Sequence, residues 1–306
     1  MRPYVGTMRR ALLEMPASLA LVACVAMAAA GCAEGSSTSG DDLAGDPVTA
    51  LSDPGPPGAT LPELGSNDRL IPTALAASTT KHLAPAGPFA VTTCKKGAFC
   101  DDFEEPTPAT RWTSTVLATG GALDFPGPSS SLGAHALRAV TSGAADAAYL
   151  TRDGGAVGGQ WVGVLELALR IDAVPAVAVG GPELAVIDAS GTATRIGLAI
   201  RPDGLALEQH YESCAGAGCS ARSDLVSNEA KPGEWRQLVV AVETYGTTSP
   251  PFGRIEVLVD GGDLIVLPLT VTLSDGRAEA RAGITSGDTA PATARVDDVT
   301  FYAHGP

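Results

Sequence analysis

The string Arg277-Ala278-Glu279-Ala280-Arg281 puts a charged group at every second position. On an extended chain it carries two guanidiniums and a carboxylate on one face and two alanines on the other. Guanidiniums so placed can grip an anionic group, and a carboxylate between them can hold or move a proton. A solvated strand face above a buried alanine face produces the same string. A second string is Glu208-Gln209-His210-Tyr211-Glu212. Gln209, Tyr211 and Glu212 combine an amide, a ring and a carboxylate, the groups that stack on a sugar and hydrogen-bond its hydroxyls. Glu208 and Glu212, four residues apart, overshoot one strand repeat, so they read as a solvated face rather than paired acids. Of the four histidines, only His210 falls in a strand pattern. No nucleophile triad or metal cluster can be assembled from spacing, and catalysis is not the favoured expectation.

The cysteines add two close pairs. Cys94 and Cys100 bracket five residues, Cys214 and Cys219 bracket four, and each pair reads as a disulfide closing a small loop. A zinc site is the alternative, for which the first spacing is too wide.

These residues must be positioned by strands. From about residue 98 onward, apolar residues alternate with polar ones in short runs separated by Gly, Asp, Pro and Ser. The runs fall at 112–117, 136–140, 147–152, 161–171, 183–188, 194–200, 205–211, 235–244, 255–259, 264–267, 277–284 and 294–302. Arg201-Pro202-Asp203-Gly204 predicts a hairpin turn, and Asp260-Gly261-Gly262-Asp263 predicts another, between Val259 and Leu264. No long helical pattern competes. The pattern predicts an all-β domain over residues 94–306, a two-sheet antiparallel sandwich of jelly-roll size. Trp161 and Trp235, at the heads of apolar strands, are expected in the core.

Residues 33–93 contain eight prolines, seven glycines and one aromatic, Phe89. Such a segment buries too little to offset its chain entropy, so 32–93 reads as a disordered tether with a reach of roughly 45 Å. Before it, Arg2, Arg9 and Arg10 precede an apolar run over 15–30, too short for a bilayer span but suited to a signal peptide over 1–31. The run ends in Ala29-Ala30-Gly31-Cys32, which resembles the lipobox of bacterial lipoproteins. The resemblance implies cleavage before Cys32, lipid on its sulfur and an extracytoplasmic protein held to the bacterial cell envelope, at the outer membrane where there is one. Ordinary secretion is the alternative. Cleavage removes three arginines and Glu14, taking the formal charge from -14 to -16. So acidic a chain lacks the cationic footprint that a nucleic acid requires.

The order of several motifs resembles the concanavalin A-like lectin and glucanase superfamily, its laminin-G-like members above all. They are Phe99-Cys100-Asp101-Asp102-Phe103-Glu104, Trp112, Ala136-Leu137-Arg138-Ala139, Arg170-Ile171-Asp172, Glu234-Trp235, Val257-Leu258-Val259-Asp260-Gly261, Arg281-Ala282-Gly283-Ile284 and Val296-Asp297-Asp298-Val299. The resemblance implies that the first and last strands meet and that Asp101, Asp102, Asp297 and Asp298 could hold a structural calcium. The acidic triplet of the superfamily's glucanases is absent. Arg277-Ala278-Glu279-Ala280-Arg281 matches the letters of a strand in its alginate lyases, without the histidine and tyrosine motifs that accompany it there. The expectation is a lipid-anchored module that binds a glycan or surface polymer without cleaving it. The alternatives are a glycan-cleaving enzyme of the same fold and an adhesive lipoprotein with a protein partner.

Overall fold

The computed structural model describes residues 70–71, 94, 97–105, 107–126, 134–143, 146–211, 223–227, 231–247, 251–273, 275–287 and 291–305. The signal region, Cys32, most of the expected tether, Glu212 and the pair Cys214 and Cys219 lie outside them. Fifteen strands run in chain order among the described residues: β1 (Phe99–Asp101), β2 (Ser114–Leu117), β3 (Ala122–Asp124), β4 (Leu137–Thr141), β5 (Ala148–Val157), β6 (Val162–Ala173), β7 (Val179–Ile187), β8 (Ala193–Arg201), β9 (Gly204–Tyr211), β10 (Ser223–Ser227), β11 (Trp235–Thr244), β12 (Gly253–Val259), β13 (Ile265–Leu269), β14 (Gly276–Ile284) and β15 (Ala292–His304). A short 3-10 turn, Pro108–Arg111, precedes β2.

All strand pairs are antiparallel. Sheet A has the order β13-β12-β11-β6-β15-β4-β3, with β1 paired to β15, and sheet B the order β10-β9-β8-β7-β14-β5-β2. Together they form a jelly-roll sandwich. Period-two alternation explains the packing, because one face of each strand is apolar. Sheet A turns inward Leu165, Leu167 and Leu169 of β6, Leu238 and Val240 of β11, and Val296 and Phe301 of β15. Sheet B meets them with Leu184 and Val186 of β7, Ile196 and Leu198 of β8, and the alanines of β14. A Cβ on Gly154 would lie 2.5 Å from the Phe301 ring, so glycine there admits the ring.

Both predicted turns form. Arg201 pairs with Gly204 across the β8–β9 turn. At the end of β12, Gly262 N–H donates to Val259 O at 2.9 Å, with Asp260 and Gly261 both at positive φ, 51° and 66°. That is the handedness a tight hairpin requires.

Two findings depart from the sequence reading. Leu70 and Ile71, placed in the expected tether, pack on the outer face of sheet A with Val164, Val239, Ala241 and Leu258. Ile71 is 2% exposed and its N–H donates to Glu256 Oε2 at 2.8 Å. Trp161 is in the core as expected, but Trp235 is only half-buried. It pairs with Arg170, which alternates with Leu169 and Ile171 and therefore lies on the outer face of β6.

Candidate functional site

The string at 277–281 lies on β14, flanked by β7 and β5 in the body of sheet B. Ala278, Ala280 and Ala282 face the core, so Arg277, Glu279 and Arg281 face outward. This much matches the alternation. What the alternation did not indicate is burial: Glu279 and Arg281 are 5% and 8% exposed, and Glu183, across from Arg281 on β7, is 5% exposed.

These groups form one network. Arg281 Nε donates to Glu279 Oε1 at 2.8 Å and Nη1 to Glu183 Oε1 at 2.7 Å. Thr285 Oγ1 donates to Gly181 O at 2.9 Å and lies 3.2 Å from Glu183 Oε2. Arg195 Nη1 of β8 is 4.0 Å from Glu183 Oε1, and the Arg281 guanidinium lies 5.5 Å from the Tyr149 ring centroid. At the outer end of β14, Arg277 Nη1 donates to Asp153 Oδ2 at 3.0 Å, with Nη2 3.5 Å from Glu279 Oε2. Opposite Glu183 on β8 stands Gly197, and a Cβ there would fall 2.7 Å from Glu183 Cβ. The glycine makes room for the carboxylate.

Burial pushes the Glu183 carboxyl above its ordinary value, against the pull of Arg281 and Arg195. Burial alone would weaken the Arg281 proton too, but Glu183 and Glu279 outweigh it and hold the guanidinium charged. For Asp153, burial is outweighed by the Gly155 N–H and Arg277, which hold its carboxyl below the usual range.

The register extends this face across the sheet. Thr151 of β5 stands opposite Arg281 and Ser114 of β2 opposite Thr151, with their hydroxyls 2.7 Å apart. On the other side, Gly197 pairs with Glu208 of β9 and Arg195 with His210. Hydroxyl, carboxylate, guanidinium, phenol and imidazole groups thus share one face. Arg281 and Arg195 are cations on it, and His210 is its imidazole.

Of the residues proposed as a sugar contact, Gln209 is turned the other way. It pairs with core residue Ile196, is 0% exposed, donates through Nε2 to Pro268 O at 3.0 Å and accepts from Thr270 N at 2.8 Å. It ties sheet B to the strand end of β13 in sheet A. Tyr211 ends β9, opposite Thr194. The described members of the string that share the site's face are Glu208 and His210, each one position out of phase with Gln209.

The four aspartates are not brought together as calcium ligands. The first and last strands do meet, with Asp101 opposite Val299. Val299 belongs to the core, so Asp101 faces inward, whereas Asp297 pairs with Ala168 and shares the outer face of β6. Asp101 Oδ1 accepts from Phe103 N at 3.0 Å and Oδ2 from Trp112 Nε1 at 2.7 Å. Asp102 Oδ1 accepts from Glu104 N, and Asp297 Oδ1 from Asp298 N. Among the described residues no group of three or more His, Cys, Asp or Glu side chains is placed to hold a metal. The donor set does not fit calcium, which wants six to eight oxygens around one point.

Cys94 and Cys100 form a disulfide, Cα atoms 5.9 Å apart, at the head of β1. It borders a cleft of about 470 Å³ with Phe99, Arg111 and Arg152. Arg152 lies 4.6 Å from the Phe99 ring centroid and donates to Arg111 O at 2.9 Å, while Arg111 sits 3.6 Å from Asp101, so both cations are engaged within the fold.

Similar solved structures include the endo-β-1,4-glucuronan lyase from the fungus Trichoderma reesei, at 14% identity and a TM-score of 0.49, covering 67% of this chain and 94% of that one. A carbohydrate esterase from the Shiga toxin-encoding bacteriophage phi24B matches at 14% identity and 0.45, covering 68% and 98%. A family 7 alginate lyase in complex with substrate matches at 13% and 0.41, covering 56% and 79%. The sequence matches no protein-family model and no curated protein.

Proposed function

We propose that the outer face of sheet B binds a glycan without cleaving it, on a protein that Cys32 anchors to the cell envelope through lipid. The observation that carries the reading is the buried Arg281–Glu183–Glu279 network in the middle of that face. Ionic groups held this rigidly present fixed donors and acceptors, at little further entropy cost to a ligand made of hydroxyls. Tyr149, Thr151, Ser114, Glu208 and His210 extend the same chemistry over five further strand positions.

A second reading is favoured by one observation: His210 stands opposite Arg195 on the face that carries Arg277, Glu279 and Arg281. An imidazole beside a cation can take the proton from the carbon next to a carboxylate whose charge the guanidinium neutralises; a carbon–carbon double bond then forms as the glycosidic carbon–oxygen bond breaks, and the leaving oxygen takes a proton from solvent. That is elimination chemistry on an acidic sugar.

One experiment separates the readings. The full chain is incubated with neutral and uronate-containing polysaccharides, following retention on the immobilised polymer together with new unsaturated and reducing ends. Retention without new ends, weakened by Arg195→Gln, supports binding. Unsaturated ends that His210→Ala abolishes would replace it with the enzyme, and neither retention nor cleavage would sink both.

A further inference from the structure

The other exposed face of the sandwich carries an arrangement of its own. In sheet A the register sets Arg170 of β6 opposite Arg295 of β15, and Arg295 opposite Arg138 of β4. Arg138 is opposite Asp124 of β3, and Arg170 is opposite Trp235 of β11. All lie on the outer face, because core residues flank each: Leu169 and Ile171, Ala294 and Val296, Leu137 and Ala139. At about 4.8 Å per strand, the row from Asp124 to Trp235 spans roughly 19 Å.

Like charges directly opposite one another destabilise a sheet, and here that happens twice over in a chain of net charge -14. Acids offset part of the cost. Asp172 accepts from Arg295 Nε at 2.8 Å and lies 3.0 Å from Arg170 Nε, and Asp124 takes Arg138 through both Nε and Nη2. Asp297 stands diagonal to Arg170 on the same face. Asp172 meets Arg170 and Arg295 at their Nε edges, whereas Asp124 takes Arg138 through two nitrogens. Among the described residues Arg170 has Asp172 as its ion-pair partner, met at Nε, and its side chain is 26% exposed. Arg138 pairs with Asp124, feels the charge of Asp172 as well, and has a side chain that is 36% exposed. Beside them Trp235 is half-buried and Gln237, two positions along the same strand face, donates to Glu166 at 3.0 Å.

We propose that this row is a second carbohydrate site, which takes a linear glycan bearing carboxylate or sulfate groups and lays it across the strands. Trp235 packs under the apolar face of one sugar ring, and Arg170 and Arg138 pair with anionic substituents further along. The tryptophan and the protein's overall charge select the ligand class. A densely charged polymer such as a nucleic acid is repelled by the rest of the surface, whereas an anionic glycan offers ring faces between its charges. The apolar half of the same face is already occupied by Leu70 and Ile71 of this chain, so the ligand path is confined to the cationic half.

The test is calorimetric titration of the full chain at low salt with heparin, polygalacturonate, neutral dextran and inorganic polyphosphate. Heparin or polygalacturonate binds and dextran does not; Arg170→Gln and Trp235→Ala each weaken binding about tenfold, while Trp235→Phe keeps most of it. Arg138→Gln, at a more exposed position, reads the same contact if Arg170→Gln lowers the melting temperature. Unchanged affinity in Arg170→Gln, Arg138→Gln and Trp235→Ala overturns the site, as does polyphosphate binding as tightly as the glycans. A loss seen with Arg195→Gln on sheet B but not with Arg170→Gln would move the anion to the other face and overturn it equally.

Discussion

At the residue scale, the Arg281 side chain is the least replaceable polar group in sheet B. It touches two carboxylates, Glu183 and Glu279, both about as buried as itself. Removing one member of a buried ionic set leaves the others uncompensated, at about 3–5 kcal/mol. Arg281→Met is therefore expected to cost that order in denaturant unfolding, and Arg281→Met with Glu183→Leu to cost clearly less than the two single changes summed. Asp153 gives the pH dependence. Its folded value lies below the ordinary one, so its contribution is complete above the unfolded value of about 3.9 and fades as pH falls through the lower folded value. The melting-temperature gap between the native protein and Asp153→Asn should hold from neutrality down to about pH 5 and close below about pH 4. Both residues illustrate how far side-chain reading went. The string 277–281 displayed its alternation, but its burial depends on Glu183, some hundred residues away, and on Gly197, whose role is to lack a Cβ. Gln209 failed for a related reason, since a polar residue facing inward looks like any other until its partners Pro268 and Thr270 arrive from the opposite sheet.

At the element scale, the strands most legible in the sequence are those with one clean apolar face. β6, with Leu165, Leu167, Leu169 and Ile171, and β11, with Leu238, Val240 and Val242, coincide closely with the predicted runs. β3 and β10 fall outside the predicted runs and β1 is expected only through the resemblance, since none of the three shows a clean alternation of its own and each is set by the neighbour it pairs with. The docking of Leu70 and Ile71 was hidden by the proline-rich composition around it, which says nothing about a contact made by Ile71 and Glu256 over a separation of 185 residues. That contact is open to a direct check. Ile71→Ala removes most of a fully buried side chain and is expected to cost about 2 kcal/mol of unfolding free energy. The Ile71 amide, which donates to the wholly buried Glu256 carboxylate, should also exchange with solvent as slowly as amides in β12. Rapid exchange with no change in stability would show that the contact does not hold the segment in solution.

At the scale of the whole molecule, the two outer faces of the sandwich differ in kind. Sheet B offers a mixed ionic floor in which each cation on β14 already has a carboxylate, and sheet A offers a line of three arginines ending in a tryptophan. Both sit on a chain with a formal charge of -14, and the sign of that charge makes a kinetic difference. A basic protein attracts a polyanion from a distance, so its association slows as salt screens the attraction. Here the long-range field repels the polymer while the attraction is confined to a few contacts shorter than the Debye length, about 10 Å at 0.1 M salt. Raising salt through the low range should therefore quicken association of an anionic glycan, by easing the approach, and at the same time quicken dissociation, by weakening the contacts of Arg170 and Arg138. Surface-plasmon measurements on immobilised heparin can separate the two rates. Arg170→Gln should raise the off-rate and flatten its salt dependence while leaving the on-rate slope positive, because the on-rate reports the whole surface and the off-rate the row. An on-rate that falls with salt would mean that a local cationic field dominates the approach after all.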